Sequence, residues 1–448
     1  MTRGLFLGKR KTYLNVQIDD LELETDMYLP NGSVFRVRPA DLDGHVAWQK
    51  DLNSRLPAGS DFRLELGHNG NGDIIVATNP TSNGACFPDY AVDYPEIIDT
   101  PLEFQKPLGT GTNMWPPEWT KYPWSAACTR RDALTAWYLD TTKRDAFFHV
   151  SHTFTHEEMN NATYHDANLE IQFNQAWLAQ TGIAAGKFSA NGIIPPAITG
   201  LHNGDVIKAW MDNGIKHVVG DNTRPVLMAS DPYHPLISTV AANGYDGLVI
   251  VPRWATSIYY NCDTWDCDVQ EWKDISKGYG TYVDLLENAK TVNSPYLFAL
   301  KADPYMFHQA NLRLIDMPVI TAGTQTRQMS MVMGWVESVA GEVNRVTNWP
   351  IISIKHDDFA QYFIDRMNLD ACQPSMSFTL NADATAIVQV TVSAQNANCG
   401  PMVPVTIPTG SATGANSMDK VGAEPPIAWV KLNGGPVTLQ LNPPVSVV

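Results

Sequence analysis

Up to about residue 370, short apolar runs alternate with stretches of helical spacing; beyond it the pattern changes to a two-residue alternation. This change of period limits the possible folds more than any other feature. YLNVQI (13–18), AFFHV (146–150), KHVVGD (216–221), GLVIVPRW (247–254), YLFAL (296–300) and PIISIKH (350–356) read as buried strands. Between them, ALTAWYLDTTKR (133–144), ANLEIQFNQAWLAQT (167–181), GDVIKAWMDNG (204–214), YVDLLENAK (282–290) and SMVMGWVESVAGEVNRVT (330–347) have helical spacing. Alternating β and α elements cover both faces of a parallel sheet, open or closed into a barrel. After Cys372, the segments SFTL, AIVQVTV, MVPVTIP, AWVKL and VTLQL alternate between turn residues, which predicts an antiparallel β-sandwich or half of one. The expected division is an α/β domain over 1–372 and a β-sandwich-like accessory domain over 373–448. Residues 78–127, rich in Pro, Gly, Asn and Trp, read as an insertion in the first domain.

The charge balance narrows the partners. Lys and Arg total 31 against 47 for Asp and Glu, a net charge of −16, which repels phosphate backbones and argues against a nucleic-acid ligand. A neutral or cationic polymer is compatible with it. Hydrophobic residues make up 44% of the chain, too many for disorder. No run of ~18 apolar residues is present to span a membrane.

The six cysteines, Cys86, Cys128, Cys262, Cys267, Cys372 and Cys399, contain no CxxC pair. Their even number and the low Lys content point to disulfides and an oxidising compartment. Local spacing favours Cys262 with Cys267 and Cys372 with Cys399, leaving Cys86 with Cys128. Six cysteines allow about 15 connectivities, so this pairing is one of several. Sequons at Asn31 and Asn161 fit secretion. The N-terminal residues lack the apolar segment of a signal peptide, so a secreted protein would carry one ahead of them.

Chemistry-bearing residues gather at predicted strand ends, where α/β barrels place active sites. Asp19 and Asp20 follow YLNVQI. Adjacent carboxylates repel unless a cation neutralises them. His152 and His156 follow AFFHV; four apart on a helical turn, their imidazoles would share one face. One carboxylate with two histidines suits a divalent metal, zinc foremost, with cobalt or iron as alternatives. His308 follows YLFAL and is a candidate general acid; His356, beside two helix-capping acids, is the weaker candidate. The polar loops GHNGNGD (67–73), GDNTRP (220–225) and PRW (252–254) read as substrate-facing. They offer Asn69, Asp221, Asn222, Arg253 and Trp254 as substrate contacts, with Tyr305 and Asn311 beside His308. Trp115, Trp119 and Trp124 form a possible sugar-stacking rim, with Trp254, Tyr259 and Tyr260 as a second set; core packing is the competing role for each.

The order Asp-Asp, HTFTH, then a late His resembles the polysaccharide deacetylases, the NodB-homology superfamily of carbohydrate esterases. The segments IDDLELETDMY, GHNG, GIIPPAITGLHNGD, VVGDNTRP, VPRWATSIYYN and DPYMFHQANL are similar to secreted fungal galactosaminogalactan deacetylases over residues 10–370. The resemblance implies a distorted (β/α) barrel, with Asp20, His152 and His156 as metal ligands, Asp19 as base and His308 as acid. It further implies an extracellular or wall-associated enzyme that removes acetyl groups from N-acetylgalactosamine in an exopolysaccharide. One position departs from the superfamily: where an Arg usually precedes Pro-Pro, this chain has Ile194. Arg253 or Arg224 is the candidate replacement for orienting the base. The rival readings are a carbohydrate-binding scaffold without activity, a chitin-type deacetylase acting on N-acetylglucosamine, and a glycoside hydrolase. The last needs two carboxyls ~5–9.5 Å apart, for which sequence neighbours are poorly placed.

Overall fold

Seven strands run parallel in the spatial order Val249–Val251, His217–Val219, Phe188–Ile193, Phe148–Ser151, Leu64–His68, Val16–Asp19 and Tyr305–His308, in a computed structural model that describes residues 3–95, 100–396 and 399–447. Leu236–Ile237 adds an antiparallel edge strand. The sheet curls until its ends meet: Trp254 N donates to Pro304 O (2.8 Å) and Met306 N to Trp254 O (2.9 Å). This is the distorted barrel expected. Val16–Asp19 and Leu64–His68 are buried at every residue, as strands covered on both faces must be. The outer layer includes helices Pro39–Arg55, Tyr164–Gln180, Gly204–Asp212, Tyr282–Phe298 and Met331–Val346.

The barrel interior holds a buried polar cluster beside an apolar one in which Val150, Ile194, Val219 and Val251 pack with Phe359 and Phe363. Glu65 Oε2 accepts from Gln17 Nε2 (3.0 Å), and Glu65 Oε1 from Ser189 Oγ (3.3 Å) and the His356 backbone N–H (2.8 Å). His356 begins helix His356–Cys372 and is fully buried beneath Gly192, where a Cβ would lie 2.3 Å from its ring. Its place is therefore structural.

Several expected elements shift. YLFAL is not a strand: residues up to Phe298 close the helix Tyr282–Phe298, which contains Pro295. A short apolar run after a proline cannot be told from a strand by period alone. The strand that carries His308 is Tyr305–His308. PIISIKH contains only a two-residue strand, Ile351–Ile352, paired with Thr12–Tyr13. ALTAWYLDTTKR forms two short helices, Ala133–Trp137 and Thr141–Arg144, the second capped by Asp140.

The C-terminal strands form two four-stranded antiparallel sheets. Phe6–Leu7 pairs with Val403–Thr406, so residues ahead of the barrel complete a sheet made otherwise of the C-terminal segment. A single cut at 372 leaves that strand on the wrong side. The three disulfides, Cys86–Cys128, Cys262–Cys267 and Cys372–Cys399, follow the pairing favoured by spacing. Among the described residues no helix is long and apolar enough to cross a membrane.

Three tryptophans of the 78–127 insertion turn inward. Trp115, Trp119 and Trp124 are 2%, 4% and 2% exposed, which removes them as a sugar-stacking rim. Trp124 stacks on Phe154 (6.1 Å between centroids) and Trp115 meets Phe173 edge-on (4.9 Å). Three indoles in one segment bury more apolar area than a surface loop can leave in water.

Candidate active site

Parallel pairing places the ends of neighbouring strands together. Asp19 and His308 are in register as the last residues of adjacent strands. His152 follows Phe148–Ser151, two strands away. All face one cavity of about 560 Å³ at the C-terminal mouth of the barrel, with Asp20 and His156.

Asp20 Oδ1 lies 3.0 Å from His152 Nε2 and 3.3 Å from His156 Nε2. The candidate ligand atoms of the three lie within 4.8 Å of one another. His152 Nδ1 bonds to Ile194 O (2.9 Å), which leaves Nε2 aimed at the cavity. The residue in the usual Arg position thus serves through its carbonyl. The HxxxH pair does not sit on a helical turn. The segment is irregular, with Thr153 at φ 68° and His156 at φ 71°, and Asp20 also stands at φ 62°. Left-handed backbone at residues with side chains is costly and collects at functional sites.

Buried partners hold this turn. Glu170, fully buried, accepts from the backbone N–H groups of Phe154 (2.7 Å) and Thr155 (2.8 Å). Asn69 Nδ2 donates to His152 O (2.5 Å) and Thr153 O (3.1 Å). Glu22 accepts from the Asn69 backbone N–H (2.8 Å) and bonds to His68 (2.8 Å). Neither Glu170 nor Glu22 stands out in the sequence, where a lone Glu in a helix or after a DD pair carries no signal.

Asp19 is gripped by both ends of one guanidinium: Arg253 Nη1 donates to Oδ2 (2.9 Å) and Nη2 to Oδ1 (2.6 Å). Of the two candidate arginines, Arg253 therefore orients this carboxylate, and Arg224 pairs with Glu103 instead. Burial pushes the Asp19 carboxyl up, but Arg253 and then His152 more than offset it, so its pKa is lowered. Asp20 is also lowered: His156 and His152 outweigh its burial. Burial brings His156 down to about 4. His308 is lowered by burial, partly countered by Asp19, whose Oδ2 lies 3.9 Å from His308 Nε2. His308 Nδ1 has no hydrogen-bond partner among the described residues.

Asp20 Oδ1 and the Nε2 atoms of His152 and His156 bring one carboxylate oxygen and two imidazole nitrogens to one point. That donor set fits a divalent cation.

The expected substrate contacts fare differently. Asn69 (0% exposed), Tyr305 (1%), Asn311 (0%) and Arg253 (2%) are out of a ligand's reach. Asn69 and Arg253 position the residues above. Asn311 accepts from the His308 backbone N–H (2.8 Å), and Tyr305 packs on Trp335 (4.8 Å). Asp221 caps its own turn through Thr223, and Trp254 stacks on Tyr296 (3.8 Å). Asn222 donates its backbone N–H to Arg253 O (2.9 Å). None of Asp221, Asn222 and Trp254 lines the cavity. A polar loop after a strand gives the mouth's location but not which side chains turn inward. The walls are made instead by Leu23, Glu24, Asp26, Pro195, Ile198, Met306 and Tyr260, the last 54% exposed with its ring 5.7 Å from that of His308.

Residues 14–377 match the family model described as the Agd3 deacetylase domain, and 378–445 match the Agd3 C-terminal domain. Among solved structures the chain is similar to Agd3, described as a novel carbohydrate deacetylase, at 46% identity and a TM-score of 0.96 over 100% of this chain and 67% of that one. A 4-alpha-glucanotransferase from Thermococcus litoralis aligns at 10% identity and a TM-score of 0.38, over 79% of this chain and 40% of that one, too low to carry an argument. Among curated proteins none is similar to this chain. Motif order, barrel, strand-end cluster and a match spanning both segments agree: the chain belongs to the Agd3 deacetylase family and is a carbohydrate deacetylase of that type, a hydrolase.

Proposed function

We propose that this enzyme removes acetyl groups from an N-acetylhexosamine polymer outside the cell, with N-acetylgalactosamine of an exopolysaccharide as the first candidate. The observation that carries the reading is the convergence of Asp20, His152 and His156 beside an Arg253-held Asp19 and His308 in one open cavity. The similar protein Agd3 is itself a carbohydrate deacetylase, which supports the substrate class. Three disulfides support an oxidising, extracellular location.

Asp20, His152 and His156 would hold the metal, zinc or cobalt by their ligand types. When bound there, a divalent metal supplies Lewis-acid polarisation of the acetamide and a water of lowered pKa. The protein's own groups handle the protons. Asp19, ionised at neutral pH, takes the water proton, and Arg253 keeps the carboxylate in one orientation. His308, whose Nε2 lies 3.9 Å from Asp19 Oδ2, receives that proton and delivers it to the departing amine, which returns both groups to their starting state. Water and acetamide become acetate and a free amine, with no covalent enzyme intermediate. The exposed ring of Tyr260 offers a face for the sugar.

The test is acetate release from N-acetylgalactosamine and N-acetylglucosamine polymers, with and without a chelator. Chelator-sensitive acetate from the first supports the reading. Release from the second alone moves the substrate to a chitin-type polymer, and new reducing ends without acetate overturn deacetylation.

A further inference from the structure

A second cavity, apart from the catalytic one, lies where the barrel joins the C-terminal sheets. It has a volume of about 740 Å³ and lies between helix His356–Cys372 and the strands Val403–Thr406 and Ile427–Val430. Tyr362 looks into it from the helix and Trp429 from the sheet. The Lys9 ammonium sits 4.9 Å from the centroid of each ring. Among the described residues it makes no hydrogen bond to an acceptor, and its close partners are the two ring faces. Burial brings the Lys9 pKa down to about 8, as expected of an ammonium poorly supplied with acceptors. Other lining charges are engaged: Arg366 with Asp370 (2.9 Å), and Lys431 with Gly400 O. Asp365 lines the same cleft and can accept from hydroxyls.

The cleft lies at the opposite end of the barrel from the metal ligands. The ring of Tyr362 packs on Tyr13 (5.2 Å), and from Tyr13 the chain runs up the strand Val16–Asp19 to the catalytic mouth. Six residues of extended chain span ~20 Å.

We propose that this cleft is a second saccharide site, taking an N-acetylated stretch of amino-sugar polymer. A pyranose presents an apolar C–H face and a rim of acceptors. Trp429, Tyr362 and the 38%-exposed Met402 supply the apolar surface. Lys9 supplies a donor for hydroxyl or acetamide oxygens, and Asp365 an acceptor for hydroxyls. A deacetylated stretch would bring an ammonium against Lys9 and bind more weakly. The remote position would keep unreacted polymer on the enzyme while another stretch occupies the catalytic mouth. This rests on the polymer being an N-acetylhexosamine chain, not on its epimer.

The experiment uses the full chain with the catalytic centre disabled by His152→Ala and His156→Ala. Short N-acetylgalactosamine and N-acetylglucosamine oligosaccharides, and their deacetylated forms, are titrated by calorimetry. One binding event for an acetylated oligosaccharide is expected to remain, weaker for its deacetylated form. Adding Trp429→Ala, or separately Lys9→Met, should weaken it ~10-fold or more, a difference of about 1.4 kcal/mol. Lys9→Met keeps the apolar stem, so it carries the test if Trp429→Ala fails to fold. Absence of binding to the disabled enzyme, or binding untouched by both changes, overturns the site. A dimer that Trp429→Ala dissolves, without saccharide binding, reassigns the cleft to a protein partner. Acetate release by the unaltered enzyme reports on the reaction separately, so failure of one reading does not imply failure of the other.

Discussion

Arg253→Met tests the catalytic assignment most directly. The guanidinium makes two charge-assisted bonds to Asp19, at 2.9 and 2.6 Å, and both side chains are almost wholly buried (2% and 5% exposed). Removing one partner of such a pair leaves a buried uncompensated charge and costs ~3–5 kcal/mol. His152 and His308 remain beside Asp19, so the lower end of that range applies. The carboxylate loses its main support as an ion, so its pKa rises. It also loses its fixed orientation. If ~3 kcal/mol of this appears in the transition state, turnover falls by roughly a hundredfold. Arg253 makes no hydrogen bond to Asp20, His152 or His156, so metal content should equal that of the unaltered enzyme. The assay is kcat/KM for acetate release as a function of pH, with metal analysis of the same samples. The acid limb should move to higher pH as the base becomes harder to ionise. Arg253→Lys, which keeps the charge but not the fork, should fall between the two. Near-wild-type turnover with an unmoved acid limb in Arg253→Met would refute the assignment of Asp19 as an Arg-held base.

Other perturbations separate the roles of neighbouring groups. Asp20→Asn or His152→Ala should lose metal and acetate release together, whereas Asp19→Asn should keep the metal and lose turnover; metal content against activity distinguishes them. Glu65 has a pKa raised from 4.5 to about 7 by burial. The folded state therefore holds its proton more tightly than the unfolded chain: the stabilisation is complete below about pH 4.5, falls as pH rises toward 7, and is flat above. The size is about 3 kcal/mol, at 1.36 kcal/mol for each pH unit. Glu65→Gln, which mimics the protonated form, should flatten this fall, as read from urea midpoints across that range. Trp124→Ala should cost ~3–5 kcal/mol in unfolding free energy, since its ring is a core contact of Phe154. A midpoint unchanged by Trp124→Ala would return that residue to the surface.

Much of the candidate site was legible because the chemistry restricts residue type. Two adjacent acids and an HxxxH, each after an apolar run, have few uses in a parallel sheet other than at its C-terminal mouth. The helical-turn geometry expected for HxxxH was not legible. The turn's backbone is fixed by Glu170 and Asn69, which are distant in sequence. The loop residues chosen as substrate contacts show the same limit. Asn69 and Asn311 satisfy backbone groups of the site rather than a ligand. A buried Asn and a ligand-facing Asn look alike until their surroundings are known.

The sequence by itself determined the change from mixed to all-β pattern and offered the cysteine pairing favoured by spacing and the Asp20, His152 and His156 cluster. These are local properties: side-chain period, loop length and ligand type. Only the tertiary structure decided that Arg253 holds Asp19 in place of the missing motif arginine, across 234 residues. It also turned three tryptophans inward and let Phe6–Leu7 complete a C-terminal sheet. Such choices depend on which distant surfaces meet, because burial and charge pairing are settled by the whole fold and not by neighbours along the chain.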